Sequence, residues 1–300
     1  QALVQSTRTR LAAVPLAQRV YTRLRQQGLG AGFAEFTVAQ AGGSNAALVF
    51  QRSSGAPLTR GVPGLFSYQG YHRGFQKVVV DVTRQLADEQ TWVLGITPTA
   101  PRGADALLAP GRQEDDVRRL YLNEYRDTWK AFIADIKLQP LTSVSQALEK
   151  TRFLAGPDTP LLPLMRAMSR ETTLLAADGA VGKATGTARE LGEKLKDKAL
   201  GSLGAKPGTL GAPAARIESI VDDEFVALRR MVTAPEGGKA PIEGVVARLG
   251  ELQQLLTTVD AALKGGGAPP PSPLPNQLKV EAANAPEPVR TLLDSLGSTS

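Results

Sequence analysis

A chain of 300 residues, 42% of them hydrophobic, can bury a core as one large domain or two smaller ones, which excludes global disorder. It has no cysteine, so disulfides, thiolate nucleophiles and cysteine-ligated metals are excluded. The net charge of +6 arises from Lys and Arg alternating with Asp and Glu, without basic runs interleaved with stacking aromatics, so nucleic acid is not an expected partner.

Residues 2–27 read as a helix with Leu11, Val14, Val20, Tyr21 and Leu24 on one face; Pro15 predicts a kink or break, and Gly28, Gly30 and Gly32 stop it. The period then changes. Phe33–Val38 and Ala46–Phe50 are short and alternating or β-branched, with Ala41–Asn45 between them as a turn, which predicts a hairpin. Because a lone hairpin is marginal, it needs a covering helix or a third strand near Leu58 or Trp92–Ile96. Pro63–Tyr71 reads as a structured loop feeding a helix over 73–91, whose buried side is Phe75, Val78, Val79, Val82 and Leu86. Thr97–Arg112, with Pro98, Pro101 and Pro110, reads as an exposed connection.

The strongest helical signal is Asp116–Leu141. At 100° per residue, Val117, Tyr121, Leu122, Tyr125, Trp129, Phe132, Ile133 and Ile136 fall within roughly 160° of arc. Arg119, Asn123, Arg126, Asp127, Lys130 and Lys137 lie on the other side, Asp127 and Lys130 form an i,i+3 pair, and Pro140 ends the helix. Tyr121, Tyr125, Trp129, Phe132 and Ile136 are the expected structural core.

Ser143 and Gln146 form a capping box for a helix reaching about Leu154. In the turn Gly156–Pro160, Thr159 caps and Pro160 opens a helix that turns Leu161, Leu164, Met165, Met168 and Leu175 inward. Residues 178–214 lose large apolar side chains and read as a mobile linker. Ile217, Ile220, Val221, Phe225, Leu228, Met231 and Val232 pattern one further helix. Ile242, Val245, Val246, Leu249, Leu252, Leu256, Val259 and Leu263 pattern another, and the short connection between the two favours an antiparallel pair. Gly265–Pro275 is a second linker, followed by a last short helix over 286–296.

Candidate chemistry is sparse. His72, the single histidine, sits in a turn where a structural hydrogen bond is expected. Gly179–Thr185 departs from a phosphate loop at Ala177 and Ala184. Glu114-Asp115-Asp116 fits a helix N-terminus and Asp222-Asp223-Glu224 a solvated helical turn. Neither Glu124 nor Glu89 is marked out for glycoside hydrolysis, which needs little besides carboxylates. No catalytic, metal or cofactor residue is expected. The loop Pro63–Phe75 is rich in aromatics. Phe66, Tyr68 and Tyr71 either seal the hairpin against neighbouring helices or are partly exposed and anchor another protomer.

Six segments also carry a family resemblance. PGLFSYQGYHRGF (63–75), WVLG (92–95), LYLNEYRDTWKAFIADIKLQPL (120–141), GPDTPLLPLM (156–165), VDDEFVALRRMV (221–232) and APEPVRTLL (285–293) together resemble, in order, the periplasmic region of the IcmF/TssM family. Those proteins are inner-membrane scaffolds of type VI secretion systems. The resemblance implies a non-enzymatic segment of an oligomeric periplasmic column in a Gram-negative bacterium. Its implied partners are other copies of itself, a TssJ-like outer-membrane lipoprotein and a TssL-like inner-membrane subunit, the last two mostly through regions outside these residues. It also implies membrane helices and a nucleotide-binding-like region upstream of Gln1, and a β-rich domain downstream of Ser300. No stretch here reaches the ~18 continuous apolar residues of a membrane span.

The expected fold is mainly α, a multi-helix periplasmic assembly with a small β-hairpin or sheet element near the N-terminus (α+β). Its expected parts are a helix, hairpin and helix over 1–112, a helical bundle over 113–177 and a linker over 178–214. A helix pair over 215–264 and a Pro-rich linker with a terminal helix over 265–300 complete it. From another class, a peptidoglycan-binding or peptidoglycan-cleaving module is the alternative function.

Overall fold

A computed structural model describes residues 15–94, 104–175 and 216–298, with the side chains of 15–86, 114–175 and 216–298. It is mainly helical, with one two-stranded antiparallel sheet among the described residues. Helix α1 (Leu16–Gln26) starts directly after Pro15 and buries Val20, Tyr21 and Leu24. The predicted segment 2–14 lies outside the described residues.

The small β element exists, but not as the expected local hairpin. Thr37 accepts the N–H of Gln40 through its hydroxyl at 3.2 Å and caps a short helix, α2 (Val38–Gly42); α3 (Ala46–Val49) follows. Strand β1 (Phe50–Arg52) pairs instead with β2 (Ile136–Leu138), in register Phe50↔Leu138 and Arg52↔Ile136. Phe36 meets Val62 in an isolated bridge. Short apolar runs do not separate strands from buried helical turns by period alone, and here a cap decided for helix.

A 3-10 turn (Gly64–Phe66) and a π-helical turn (Gly70–Phe75) lead into α4 (Gln76–Leu94). Helix α5 (Ala104–Asp135) extends back into the predicted connection Thr97–Arg112 and takes Pro110 into its length, so that proline does not end the helix as expected. Glu114 and Asp115 therefore lie inside α5, pairing with Arg118 at 3.6 and 3.1 Å, rather than at a helix start. Asp127 pairs with Arg126 and Lys130 with Glu224, both at 2.8 Å, so the expected Asp127–Lys130 pair does not form.

The helix also ends five residues before Pro140. The Asp135 carboxylate accepts from Ser54 N–H (2.7 Å), Ser54 Oγ (2.6 Å) and Arg52 Nε (2.6 Å), and the chain passes directly into β2. Ile136 is fully buried, on a strand rather than on the helical stripe.

Ser143 caps α6 (Val144–Ala155) by accepting from Gln146 N–H, while Gln146 reaches back to Thr142 N–H at 3.1 Å, a capping box displaced by one residue. Thr159 accepts from Leu161 N–H at the start of α7 (Leu161–Glu171). Leu161, Leu164, Met165 and Met168 are buried; Leu175 lies past the end of α7 and is half-buried.

The expected helix over 217–232 is two, α8 (Ser219–Asp222) and α9 (Val226–Val232), broken around the buried Phe225. Helix α10 (Pro241–Lys264) lies chiefly along α6 and less along α9. The span read as a linker to 275 gives way to α11 (Leu274–Asn284), which packs on α12 (Val289–Gly297). Only Leu274, Leu278 and Ala282 are buried on α11, a stripe too thin to stand out in the sequence. Buried residues from all three described segments join one hydrophobic cluster, each large side chain contributing about 1.5–3 kcal/mol.

Candidate functional site

The aromatic loop folds onto α5. Two of its glycines allow the close approach: a Cβ on Gly70 would collide with the carbonyls of Gly64 and Leu65, and one on Gly74 would lie 2.8 Å from the Phe33 ring. The π-helical turn then brings Tyr71 and Phe75 against Tyr121. Phe75 stacks on it at 4.0 Å and 13°, Tyr71 at 5.7 Å and 21°, and Phe66 packs at 5.6 Å. Trp129 carries the cluster further along the helix, touching Phe36 at 4.9 Å and Phe132 at 5.8 Å.

Tyr121, Tyr125 and Trp129 are spaced by four, so their polar tips emerge on successive turns of one face. Each donates to a backbone carbonyl. Tyr121 donates to Leu65 (2.5 Å), Tyr125 to Glu171 (2.6 Å) and Trp129 to Phe66 (2.8 Å). Glu171 thereby acts twice, since its carboxylate also accepts Tyr68 N–H at 2.8 Å. His72 donates from Nε2 to the Leu174 carbonyl at 3.1 Å, the structural hydrogen bond expected for it. The Tyr71 hydroxyl donates to Glu218 at 2.8 Å and accepts from Gln76 Nε2.

Tyr121, Tyr125, Trp129, Phe132 and Ile136 are all buried, as are Phe66 and Tyr71. Of the three loop rings singled out in the sequence, Tyr68 alone is half-buried, its ring 4.3 Å from that of His72.

Electrostatics follow the burial. Desolvation lifts the Tyr121 and Tyr125 phenols well above their ordinary value, and at Tyr71 the Glu218 hydrogen bond adds to it. These hydroxyls do not ionise near neutral pH and serve as fixed donors. Asp222, expected on a solvated turn, is buried. It accepts the N–H groups of Leu174 (2.7 Å) and Leu175 (3.0 Å), with Arg229 at 3.7 Å. Burial raises its pKa against the pull of those two N–H groups and the arginine. A raised carboxyl can serve as a general acid, but here both oxygens are occupied by backbone donors.

Two cavities, of about 470 and 420 Å³, open along α1 instead. The second includes Glu124, which accepts the Tyr21 hydroxyl and pairs with Arg25 at 2.8 Å. Glycoside hydrolysis uses a pair of carboxylates, and among the described lining residues Glu124 is the only one. Glu89's side chain and the Gly179–Thr185 segment lie outside the described residues. The roles of Asp222, Glu171 and Asp135 carried no sequence signal, because each joins segments distant in the chain.

Residues 1–173 match the family model described as IcmF-related, intracellular multiplication and human macrophage-killing. The chain is 36% identical over 257 residues to the type VI secretion system component TssM1 of Pseudomonas aeruginosa, an alignment covering 84% of this chain and 23% of that protein. The chain thus spans about a quarter of its relative's length. No solved structure matches it.

Proposed function

This chain belongs to the IcmF/TssM family of type VI secretion components, and from that premise we propose that it is a non-enzymatic scaffold segment of the secretion membrane complex. It forms part of the oligomeric periplasmic column between inner and outer membranes. Its partners are other copies of itself and, mostly through regions outside these residues, a TssJ-like lipoprotein and a TssL-like inner-membrane subunit. No described helix is long and apolar enough to cross a membrane.

The observation that supports a scaffold is the use made of polar groups at the aromatic loop. The tips of Tyr121, Tyr125 and Trp129 and the carboxylates of Glu171 and Asp222 all bind backbone groups of other elements. Such groups fix elements relative to one another, as a load-transmitting column requires. Tyr68, half-buried at the loop surface, is the anchor for a neighbouring protomer, a role suited to an amphipathic ring.

Tyr68→Ala tests the anchor in secreting cells carrying the variant on the full-length protein. Secretion and protomer cross-linking should fall sharply while the purified segment keeps its helical content and melting temperature; normal secretion would sink the anchor. The peptidoglycan-cleaving alternative is tested by incubating the purified segment with sacculi. Release of soluble glycan fragments would overturn the non-enzymatic assignment.

A further inference from the structure

Leu252, Leu256 and Leu263 recur on one stripe of α10, but only the first two are buried. Leu263 is 50% exposed, because α6 begins at Val144 and its Ser145 already meets Asp260 at 3.0 Å. Past Lys264 the chain carries no charged residue as far as Leu278; it runs through Gly265, Gly266 and Gly267 to prolines at 269, 270, 271, 273 and 275. Both ends of this turn are fixed. Gly265 and Gly267 donate to the carbonyls of Ala261 and Ala262, and Leu274 is buried with its N–H on Ser272 Oγ at 3.2 Å. Between these ends residues 268–271 are exposed and make no hydrogen bond among the described residues. Three consecutive prolines hold φ near about −65°, keep the residues before them extended, and offer carbonyls but no N–H.

A surface of complementary chemistry surrounds Tyr68. Its half-buried ring lies 4.3 Å from that of His72, and Arg73 and Arg170, next in the chain to His72 and Glu171, are exposed. Proline-rich turns dock on such rings, and guanidinium N–H groups donate to bare carbonyls. Within one chain the two surfaces are held apart. Tyr68 N–H binds Glu171 on α7, and five residues earlier Arg166 reaches Glu243 at the start of α10, at 3.5 Å. The prolines follow the other end of α10, whose Lys264 is about 31 Å from Glu243 along the axis. Helix α11 runs back beside α10, with Arg248 3.8 Å from Glu281, so the prolines occupy the tip of that reversal.

We propose that the proline turn of one copy docks on the Tyr68–His72 surface of the next copy, an inference that rests on Tyr68 being the protomer anchor. Prolines 269–271 lie on the two rings, Leu263 adds apolar area beside them, and Arg73 and Arg170 donate to the exposed carbonyls. The two surfaces differ, so the contact is head-to-tail and repeats from copy to copy, as a ring or column requires. Because the proline turn is shaped before it docks, little ordering entropy opposes the contact.

The test uses the full-length protein in secreting cells, as two differently tagged copies. One carries Gln69→Cys and the other Pro271→Cys, in a stretch of 300 residues that has no cysteine of its own. Mild oxidation should join the two tags, and a pair in which only one copy carries its cysteine should stay unjoined. Separately, Pro270→Ser with Pro271→Ser should lower protomer cross-linking roughly tenfold, as Tyr68→Ala should, and adding Tyr68→Ala to it should lower it no further. The purified segment should keep its melting temperature, since both prolines are exposed. Absence of the joined product overturns the docking. So does normal cross-linking in the serine variant when Tyr68→Ala loses it, a result that keeps Tyr68 as an anchor for a different surface. Normal cross-linking in Tyr68→Ala removes the anchor itself, and the docking with it.

Discussion

The two ends of the molecule are packed by different means. Around α5 the core is aromatic, and the polar tips of Tyr71, Tyr121, Tyr125 and Trp129 are each bonded to a named carbonyl or carboxylate. Around α10, α11 and α12 it is aliphatic: Ile242, Val245, Leu249, Leu252, Leu256, Leu278, Leu292 and Leu293 are buried with no polar atom to place. Apolar burial is non-directional, whereas a buried hydroxyl or indole N–H loses heavily unless its partner is in place. The aromatic end therefore fixes which loop lies on which helix, while the aliphatic end supplies cohesion and tolerates adjustment.

The largest expected effect is at the centre of the aromatic end. Trp129→Ala should cost about 3–5 kcal/mol in a denaturant titration, because it empties a fully buried site and leaves the Phe66 carbonyl without its donor. A loss under about 1 kcal/mol would remove the contrast, since the region would then be loosely packed.

A finer test compares substitutions that nearly preserve volume. Tyr125→Phe deletes one hydroxyl and should cost about 0.5–1.5 kcal/mol by removing its hydrogen bond to the part-buried Glu171 carbonyl. Leu252→Met, fully buried in α10, should cost less than about 1.5 kcal/mol because a flexible apolar chain refills the space. If Leu252→Met proves the more damaging, directional bonding is not what separates the two ends.

The smallest effect is a change of slope with pH at the edge of the aromatic end. Burial opposes ionisation of Asp135, but the hydroxyl and N–H of Ser54 and the Arg52 guanidinium outweigh it and hold the carboxyl below its usual range. A depressed folded pKa contributes stability that is present above the unfolded value near 3.9 and is lost as pH falls through the lower folded value. Asp135→Asn should lower the urea midpoint at pH 7 and flatten its decline between pH 4 and pH 2. An unchanged decline would mean that other carboxylates account for the acid sensitivity.

Much of this was legible in the residues. The stripe from Val117 to Ile133 could only be a helix with one buried face, since its bulky groups recur at helical spacing and its charges do not. The patterns at Leu161–Met168 and Ile242–Leu256 were equally plain. The hairpin was not. Phe33–Phe50 has strand-like composition, but Phe50–Arg52 had a better partner more than eighty residues away, and sequence period says nothing about distant partners. Helix α11 escaped notice because an alanine and two leucines on 11 residues make a faint stripe.

By itself the sequence determined that this is a mainly helical protein of the IcmF/TssM family, and which face of α5 would be buried. Local periodicity and an ordered set of motifs are properties of the chain alone. Tertiary structure decided where α5 stops, because Ser54 and Arg52 must arrive from far away to bind Asp135. It also decided that Tyr71 is core while Tyr68 keeps a half-exposed ring, and that Asp222 is a buried acceptor rather than a solvated charge. Each of these depends on which distant group occupies the neighbouring space, and a polar side chain's role is set by the partner it meets there.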